Sequence, residues 1–597
     1  MNPSPLRDWI EQARTGAVPR RVFMSRLAAL GFGPAVPALG LSGLPPAARA
    51  EPEPAYKPAQ RGGGGTLHIL MWQGPTLLNP HFAVGTKDAD GARVFYEPLA
   101  RWDADGELRP VLAAEVPSLA NGGVARDGRS VTWRLKTGVT WHDGQPFTAD
   151  DLLFNAAYAS DPATAAATAG NWSALTLVKL DSHTVRVEYP QPAPFWATAY
   201  CVNPLIPRHV FALYRGAASR DAPANLRPVG TGPYRIAEFK PGDLITGTLN
   251  PDYHAPHRPH FDRIEIKGGG DSVSAARAVL QKGEFDYAWA LQVEDELLQR
   301  LEDGGKGRVR FEAGGSMEVL LLNFADPNAS VDGERAHAGT RHPLLREPAV
   351  RQAIALCIDR AGIQQHLYGR TAVSTPNILY HPARFRSPHL RAEFNPDQAA
   401  ALLQAAGWKA GADGVREKDG HKLKLLFQTS VNPVRQKTQA VIKSACQRAG
   451  IELELKAISP AVFFSSDPAN PDTFGRFQAD LQMLVFTMGG SPDPGRLMSR
   501  FTSWEIASKA NKWQGQNILR WRMDEYDRLY REAAAELEPA RRAALFIRMN
   551  DLVCGDGYLI PLMFRYRIAA TANRLVVVSS GWDSSFAALA DWYREVA

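Results

Sequence analysis

Catalytic signatures are missing from this chain. No G-x-S-x-G, H-E-x-x-H, Walker loop or G-x-G-x-x-G occurs in its 597 residues, which removes the serine-hydrolase, zincin, P-loop and dinucleotide-binding readings. Cysteine is scarce as well. Cys201, Cys357, Cys446 and Cys554 show no C-x-x-C spacing, which excludes a zinc knuckle or a thioredoxin-like motif. Four cysteines allow three full disulfide pairings and the sequence does not choose among them, although Cys357 and Cys446 fall on apolar helix faces where buried free thiols are expected. No apolar run of membrane length follows residue 50. No basic run occurs either. Of the formal charge of +6, all but +2 lies in the first 50 residues, so the near-neutral remainder offers no surface for nucleic acid.

The N-terminus has an address instead. Pro19-Arg20-Arg21-Val22-Phe23-Met24-Ser25 reads as a twin-arginine export signal, followed by a weakly apolar stretch, Leu27 to Leu44, and Ala48-Arg49-Ala50. A basic region, a short apolar region and a small-x-small site make a signal peptide cleaved after Ala50. Gly31, Gly33, Pro34, Pro37 and Gly40 argue against a spanning helix. The remaining 547 residues exceed one hydrophobic core, and 45% apolar with 22% charged residues is the composition of a soluble globular protein.

Residues 51–65, with Glu-Pro repeats and Gly62 to Gly65, read as a flexible leader. Thr66 to Trp72 is a strand that stops at Gly74-Pro75. Val131, Trp133 and Leu135 alternate with polar residues as in a half-buried strand, and Thr148-x-x-Asp151 caps a helix. A helix over 272–283 precedes a strand, Phe285 to Trp289. Val350, Ala353, Ile354, Cys357 and Ile358 form one face of a helix opened by Pro348, and Asn395-Pro396 caps another with Ala399, Leu402, Leu403 and Ala406 inward. A strand over 423–429, a helix over 433–449 with Val434, Val441, Ile442 and Ala445 on one face, and a strand from Ile451 to Ile458 predict a right-handed βαβ crossover in a parallel sheet. The apolar run Asp480 to Thr487 is a central strand, two helices cover 524–537 and 539–553, and a short apolar run follows at 558–564.

Three constellations invite chemistry. His142-Asp143 in Trp141-His142-Asp143-Gly144 suggests an acid–base pair, but adjacent strand residues point apart and Asp-Gly is a turn signal. His254, His257 and His260 suggest a metal, but Pro256 and Pro259 forbid the helix that would align them, leaving a surface loop. The loop Thr487-Met488-Gly489-Gly490-Ser491-Pro492-Asp493 follows the most buried strand, where open α/β sheets bind ligands. Its glycines admit close backbone approach and Asp493 offers one charge; a plain turn is the equal alternative.

As a set the motifs resemble the solute-binding proteins of oligopeptide and dipeptide importers, family 5 of the extracellular binding proteins. The residues that carry this run in family order through the mature chain: Asn79-Pro80, Tyr96-Glu97-Pro98-Leu99, Asp105-Gly106, Pro110 to Ala113, Val131 to Asp151, Gly230-Thr231-Gly232-Pro233-Tyr234, Asn323 and Val350 to Arg360. The resemblance implies an α/β, bilobed periplasmic-binding-protein-like fold with a hinge and an extra inserted domain. Lobe I would comprise 62–95, 229–315 and 555–597, the insert 96–228 and lobe II 316–554. It implies a periplasmic monomer without catalysis, cofactor or metal. Such a protein buries a small solute, a peptide among them, and delivers it to ABC permease subunits in the inner membrane. Trp72, Asn323, Phe486, Thr487, Gly489, Ser491 and Asp493 match cleft-lining regions. The aspartate that pairs with a peptide ammonium in many members is replaced by Gly489-Gly490, which leaves peptide specificity open. Other readings are a receptor docking on a membrane sensor, a site for a sugar, opine-like solute or metal complex, and, least, a hydrolase using His142 or the histidine loop.

Overall fold

Short-period alternation and βαβ crossovers assemble one large mixed sheet. The computed structural model describes residues 54–595 except 84, 198, 465–469, 489, 512 and 514. The twin-arginine pair and the Ala48-Arg49-Ala50 site lie outside the described residues. Eleven strands form the sheet: β1 (Thr66–Met71), β2 (Tyr234–Lys240), β3 (Leu244–Leu249), β4 (Arg263–Gly268), β5 (Tyr287–Ala288), β6 (Gly307–Leu322), β7 (Ala372–Ser374), β8 (Lys424–Ser430), β9 (Glu452–Ile458), β10 (Leu481–Thr487) and β11 (Leu559–Ala572). Their order is β9-β8-β10-β6-β11-β5-β1-β4-β3-β2, with β7 also on β11. β1 runs parallel to β4 and β5, and β8 parallel to β9 and β10.

The two halves of this sheet are joined by β6 and β11, of 16 and 14 residues. Leu320, Leu322, Ile560, Leu562 and Met563 pack in one core, whereas Val309, Ile568 and Ala570 of the same two strands pack in another. Two strands crossing between two cores make the hinge of a bilobed fold. At the crossing their pairing slips between Glu312 and Ser316. Gly314 and Gly315 are required there by close approach. A Cβ on Gly314 would lie 2.5 Å from the Gly581 carbonyl oxygen, and one on Gly315 would lie 2.6 Å from Cβ of Met488 and 2.9 Å from the Trp582 ring.

The chain between β1 and β2 carries its own antiparallel sheet, Ser130–Arg134, Thr184–Glu188 and Thr176–Asp181. Val131 and Trp133 are buried and their neighbours are not, as the alternation requires. Helix α1 (Ala149–Ser160) begins where the Thr148 N–H donates to the Asp151 carboxylate at 2.9 Å. Buried Glu97 ties this region to the sheet. It accepts from the Thr231 hydroxyl (3.0 Å) and the Tyr253 hydroxyl (2.7 Å) and pairs with His254 Nε2 (2.9 Å). Three of the sequence motifs therefore meet on one carboxylate.

On the other side, α2 (Pro348–Leu356), α3 (Pro396–Ala405) and α4 (Pro433–Arg448) cover β8–β10. The parallel β8–α4–β9 crossover is as the periodicity predicts, and Gly407 and Gly450, at φ +89° and +85°, end α3 and α4. Val441 departs from its expected face and is 39% exposed; Thr438, Gln439 and Cys446 are buried instead. Helices α5 (Asp524–Ala535) and α6 (Pro539–Gly555) lead into β11, which continues eight residues past the expected end at Phe564. The helix from Ser272 changes to a π-turn at Ala278–Lys282 before Gly283, and its following strand shrinks to Tyr287–Ala288.

The segment read as a flexible leader is tied down from residue 54 onward. The Tyr56 hydroxyl donates to the His257 carbonyl at 2.7 Å, and the N–H groups of Gly63 and Gly65 donate to the Asp262 carboxylate at 2.9 and 2.8 Å. Composition missed this because the partners are backbone groups and one acid some 200 residues away. The four cysteines stand outside any disulfide; Cys201, Cys357 and Cys446 are buried. The adjacent Cys357 thiol, and then burial, raise the pKa of Cys446 well above the ordinary thiol value.

Candidate binding cleft

Register places the candidate cleft. Leu70 of β1 pairs with Ala288 of β5, Ala288 with Ala570 of β11, and Ala570 with Val309 of β6. From the opposite side Thr487 of β10 pairs with Ser316 of β6, which pairs with Arg565 of β11. The carboxyl ends of β1 and β5 and the carboxyl end of β10 therefore converge on the stretch where β6 and β11 cross. In open α/β sheets such ends are where loops can bring polar backbone and side chains to a ligand.

Trp72 follows β1 into this region. It is half-buried, its Nε1 donates to the Ala290 carbonyl at 3.1 Å, and its ring centroid lies 6.4 Å from that of Trp289. Trp289 is held in turn by Asp90, which accepts from its Nε1 at 2.6 Å. Ala290 has φ +46°, a left-handed conformation that costs a non-glycine residue about 1 kcal/mol. The next residue fixes it, since the Leu291 N–H donates to the Ile568 carbonyl at 2.7 Å. Backbone strain held in place by pairing is frequent at binding clefts.

The loop after β10 divides by residue. Phe486 points inward, 6.2 Å from the Phe501 ring with the Arg500 guanidinium 5.2 Å over it. Thr487 is exposed. The Met488 N–H donates to the Gly315 carbonyl at 3.0 Å, continuing the β10–β6 pairing into the loop. Gly489 lies outside the described residues. The Ser491 hydroxyl accepts from the Asp493 N–H at 3.2 Å.

Asp493 does not offer the unpaired charge expected of it. It is 6% exposed, accepts from the Gly495 N–H at 2.8 Å, and takes both Nη1 and Nη2 of Arg542, the latter at 3.1 Å. The geometry is that of the turn residue, with its charge matched from α6. Asn323 is likewise spent on its own fold. Fully buried, it donates to the carbonyls of Phe477 (2.8 Å) and Ala479 (3.0 Å) and accepts from the Ala325 N–H (3.1 Å).

Sequence reasoning missed a charged group beside Thr487. Glu318 of β6 is fully buried between Arg435 of α4, whose Nε donates at 2.7 Å, and Arg565 of β11, whose Nη1 donates at 3.3 Å. Arg435 Nη1 also donates to the Ser430 hydroxyl at 2.8 Å. Nothing in local sequence links these residues; only the register of β6 with β11 and the placement of α4 bring them together. On the far side of the crossing His381 stacks on Trp582 with centroids 5.3 Å apart, and burial pushes its pKa down to about 4.

The two histidine constellations have structural roles. His142 Nδ1 accepts from the Gly230 N–H at 3.1 Å and Nε2 faces the Gly232 carbonyl at 3.1 Å, while Gly144 at φ +86° closes the turn. Burial lowers the His142 pKa to about 4. The histidine segment is a surface loop, with Pro256 and His257 exposed, but the His254 side chain turns inward against Glu97. Among the described residues no group of three His, Cys, Asp or Glu side chains stands where a metal ion could be held.

Comparison with known proteins agrees with this architecture. Residues 107–509 match the model of the bacterial extracellular solute-binding proteins, family 5. The chain is 24% identical to the oligopeptide-binding protein AppA of Bacillus subtilis, over 80% of this chain and 82% of that protein. It is 28% identical to protein XP55 of Streptomyces lividans, over 85% and 84%. Among solved structures, NikA of Brucella suis in complex with Fe(III)-EDTA superposes with a TM-score of 0.70 at 20% identity, covering 89% of this chain and 100% of that one. The chain belongs to the bacterial extracellular solute-binding proteins of family 5.

Proposed function

We propose that this protein is the solute-capturing component of an ABC importer. It holds a small polar solute, a peptide or a non-peptide, between two lobes and presents the closed form to permease subunits in the inner membrane. The observation that carries the reading is the convergence of the ends of β1, β5 and β10 on a two-strand crossing with glycines at its slip. Two strands can flex about such a point, and hinge closure around a ligand uses a few residues of this kind. Likeness to AppA, named for oligopeptides, supports a peptide; likeness to NikA, seen with a metal chelate, supports a non-peptide solute. The lobes are taken as 62–95, 229–315 and 555–597 against 316–554, with 96–228 inserted in the first.

The protein acts by binding and carries out no chemistry. The histidines that suggested catalysis are held by the Gly232 carbonyl and Glu97. The twin-arginine segment exports the chain to the periplasm with cleavage after Ala50, and the mature protein works as a monomer. Native mass spectrometry of protein purified from its own periplasm tests the reading directly. A defined solute mass released on unfolding is expected. Protein that emerges empty, and stays empty across peptide, sugar and metal-chelate panels, would falsify it.

A further inference from the structure

We infer that the cleft recognises the solute through an anionic group seated on Arg565, Ser316 and Thr487, and needs no free ammonium on the solute; this rests on the solute-binding reading above. The three residues are register partners across adjacent strands, Thr487↔Ser316↔Arg565, so their side chains leave the same face of the sheet side by side. Thr487 is exposed, Ser316 half-buried, and the Arg565 side chain 42% exposed. Together they present two hydroxyls and a guanidinium fork, the donor set that suits a carboxylate.

The charge balance points the same way. Two guanidinium groups, Arg435 and Arg565, share one carboxylate, Glu318, which leaves one positive charge in excess at the edge of the cleft. Arg435 lies in the first turn of the 16-residue helix α4, whose N-terminus adds positive potential. A partly buried excess charge is stabilised by an anion. Among the described residues of β6, β10, β11 and the loop after β10, every carboxylate already has a cationic partner. Asp493 is matched by Arg542, Glu318 by the two arginines, and Glu312 of the crossing by Arg567 at 2.6 Å.

The test uses the mature protein and three pools of tri- to pentapeptides: unmodified, N-acetylated and C-amidated. Binding is read by native mass spectrometry and thermal melts. The N-acetylated pool is expected to bind as tightly as the unmodified one, and the C-amidated pool about tenfold or more weaker, the range of a lost charged hydrogen bond. Arg565→Gln should weaken the unmodified pool by a similar factor while leaving the C-amidated pool as it was. Thr487→Val, at an exposed position, gives the same pattern more weakly and stands in if the arginine variant misfolds. Equal binding of the amidated pool, or loss on acetylation alone, overturns the inference and leaves peptide capture standing. If no pool binds, peptide capture and this inference fall together.

Discussion

Asp493 and His81 carry the sharpest single-residue expectations. Because Asp493 is buried against Arg542, Asp493→Asn strands a guanidinium that is itself mostly buried, and breaking such a pair costs about 3–5 kcal/mol. The apo melting temperature should therefore fall while solute affinity, measured by calorimetric titration, stays within a factor of two or so. A large affinity loss with an unchanged melt would return Asp493 to the cleft. The sequence made both roles legible, turn or ligand, but not the choice, since Arg542 sits 49 residues away on a helix whose orientation no local pattern reveals. His81 is fully buried, with Nε2 against the Asn155 amide oxygen at 2.8 Å and Nδ1 against the Thr168 hydroxyl at 2.6 Å. Burial lowers its pKa to about 4. Below the ordinary value near 6.5 the unfolded chain takes up a proton that the folded one refuses, so stability falls as pH drops from about 6.5 toward about 4. The loss from His81 is about 3 kcal/mol, and His142 and His381 act in the same direction. Urea unfolding at pH 7, 5.5 and 4.5 should show it, and His81→Gln should flatten the curve.

Elements with a clear period were readable, and those defined by their partners were not. α2, α3 and α4 follow from apolar spacing, caps and terminal glycines, and β8–β10 from apolar alternation or continuity. β6 and β11 escaped. Ala313-Gly314-Gly315 resembles a break, and Arg565-Tyr566-Arg567 resembles the end of an apolar run; the strands continue because the residues flanking the slip pair, Glu312 with Arg567 and Ser316 with Arg565. The arginines are tolerated inside β11 because β6 supplies a carboxylate for each, Glu312 directly opposite Arg567 and Glu318 two residues beyond the Ser316 that faces Arg565. The same pairing makes Gly314 sensitive. Its Cβ would meet the Gly581 backbone, which cannot rotate away, so Gly314→Ala should cost about 1–3 kcal/mol. With a bound solute, small-angle scattering of this variant should also give a larger radius of gyration than the parent. An unchanged melt and radius would mean that the crossing has more room than the backbone spacing implies.

Fold class and family were legible from the order of motifs, because Glu97, Gly230–Tyr234 and the Val131–Asp151 hairpin are spaced by the architecture they build. Which face of the cleft carries charge was not, since it depends on three strands separated by up to 249 residues meeting in register. The export address predicts that Arg20→Lys with Arg21→Lys stops processing. Lysine cannot reproduce the bidentate fork of arginine toward a receptor carboxylate. Cell fractionation should then find full-length precursor in the cytoplasm; normal periplasmic accumulation of the double variant would dismiss the twin-arginine reading.

The place of β11 has a consequence for how the polypeptide is made. It is the last strand of the main sheet to be synthesised, yet it lies between β6 and β5 and borders both cores. Until residues 559–572 leave the ribosome, β5 and β6 have open edges and neither lobe can finish its sheet. Completion of both halves of the main sheet is therefore a late event in synthesis.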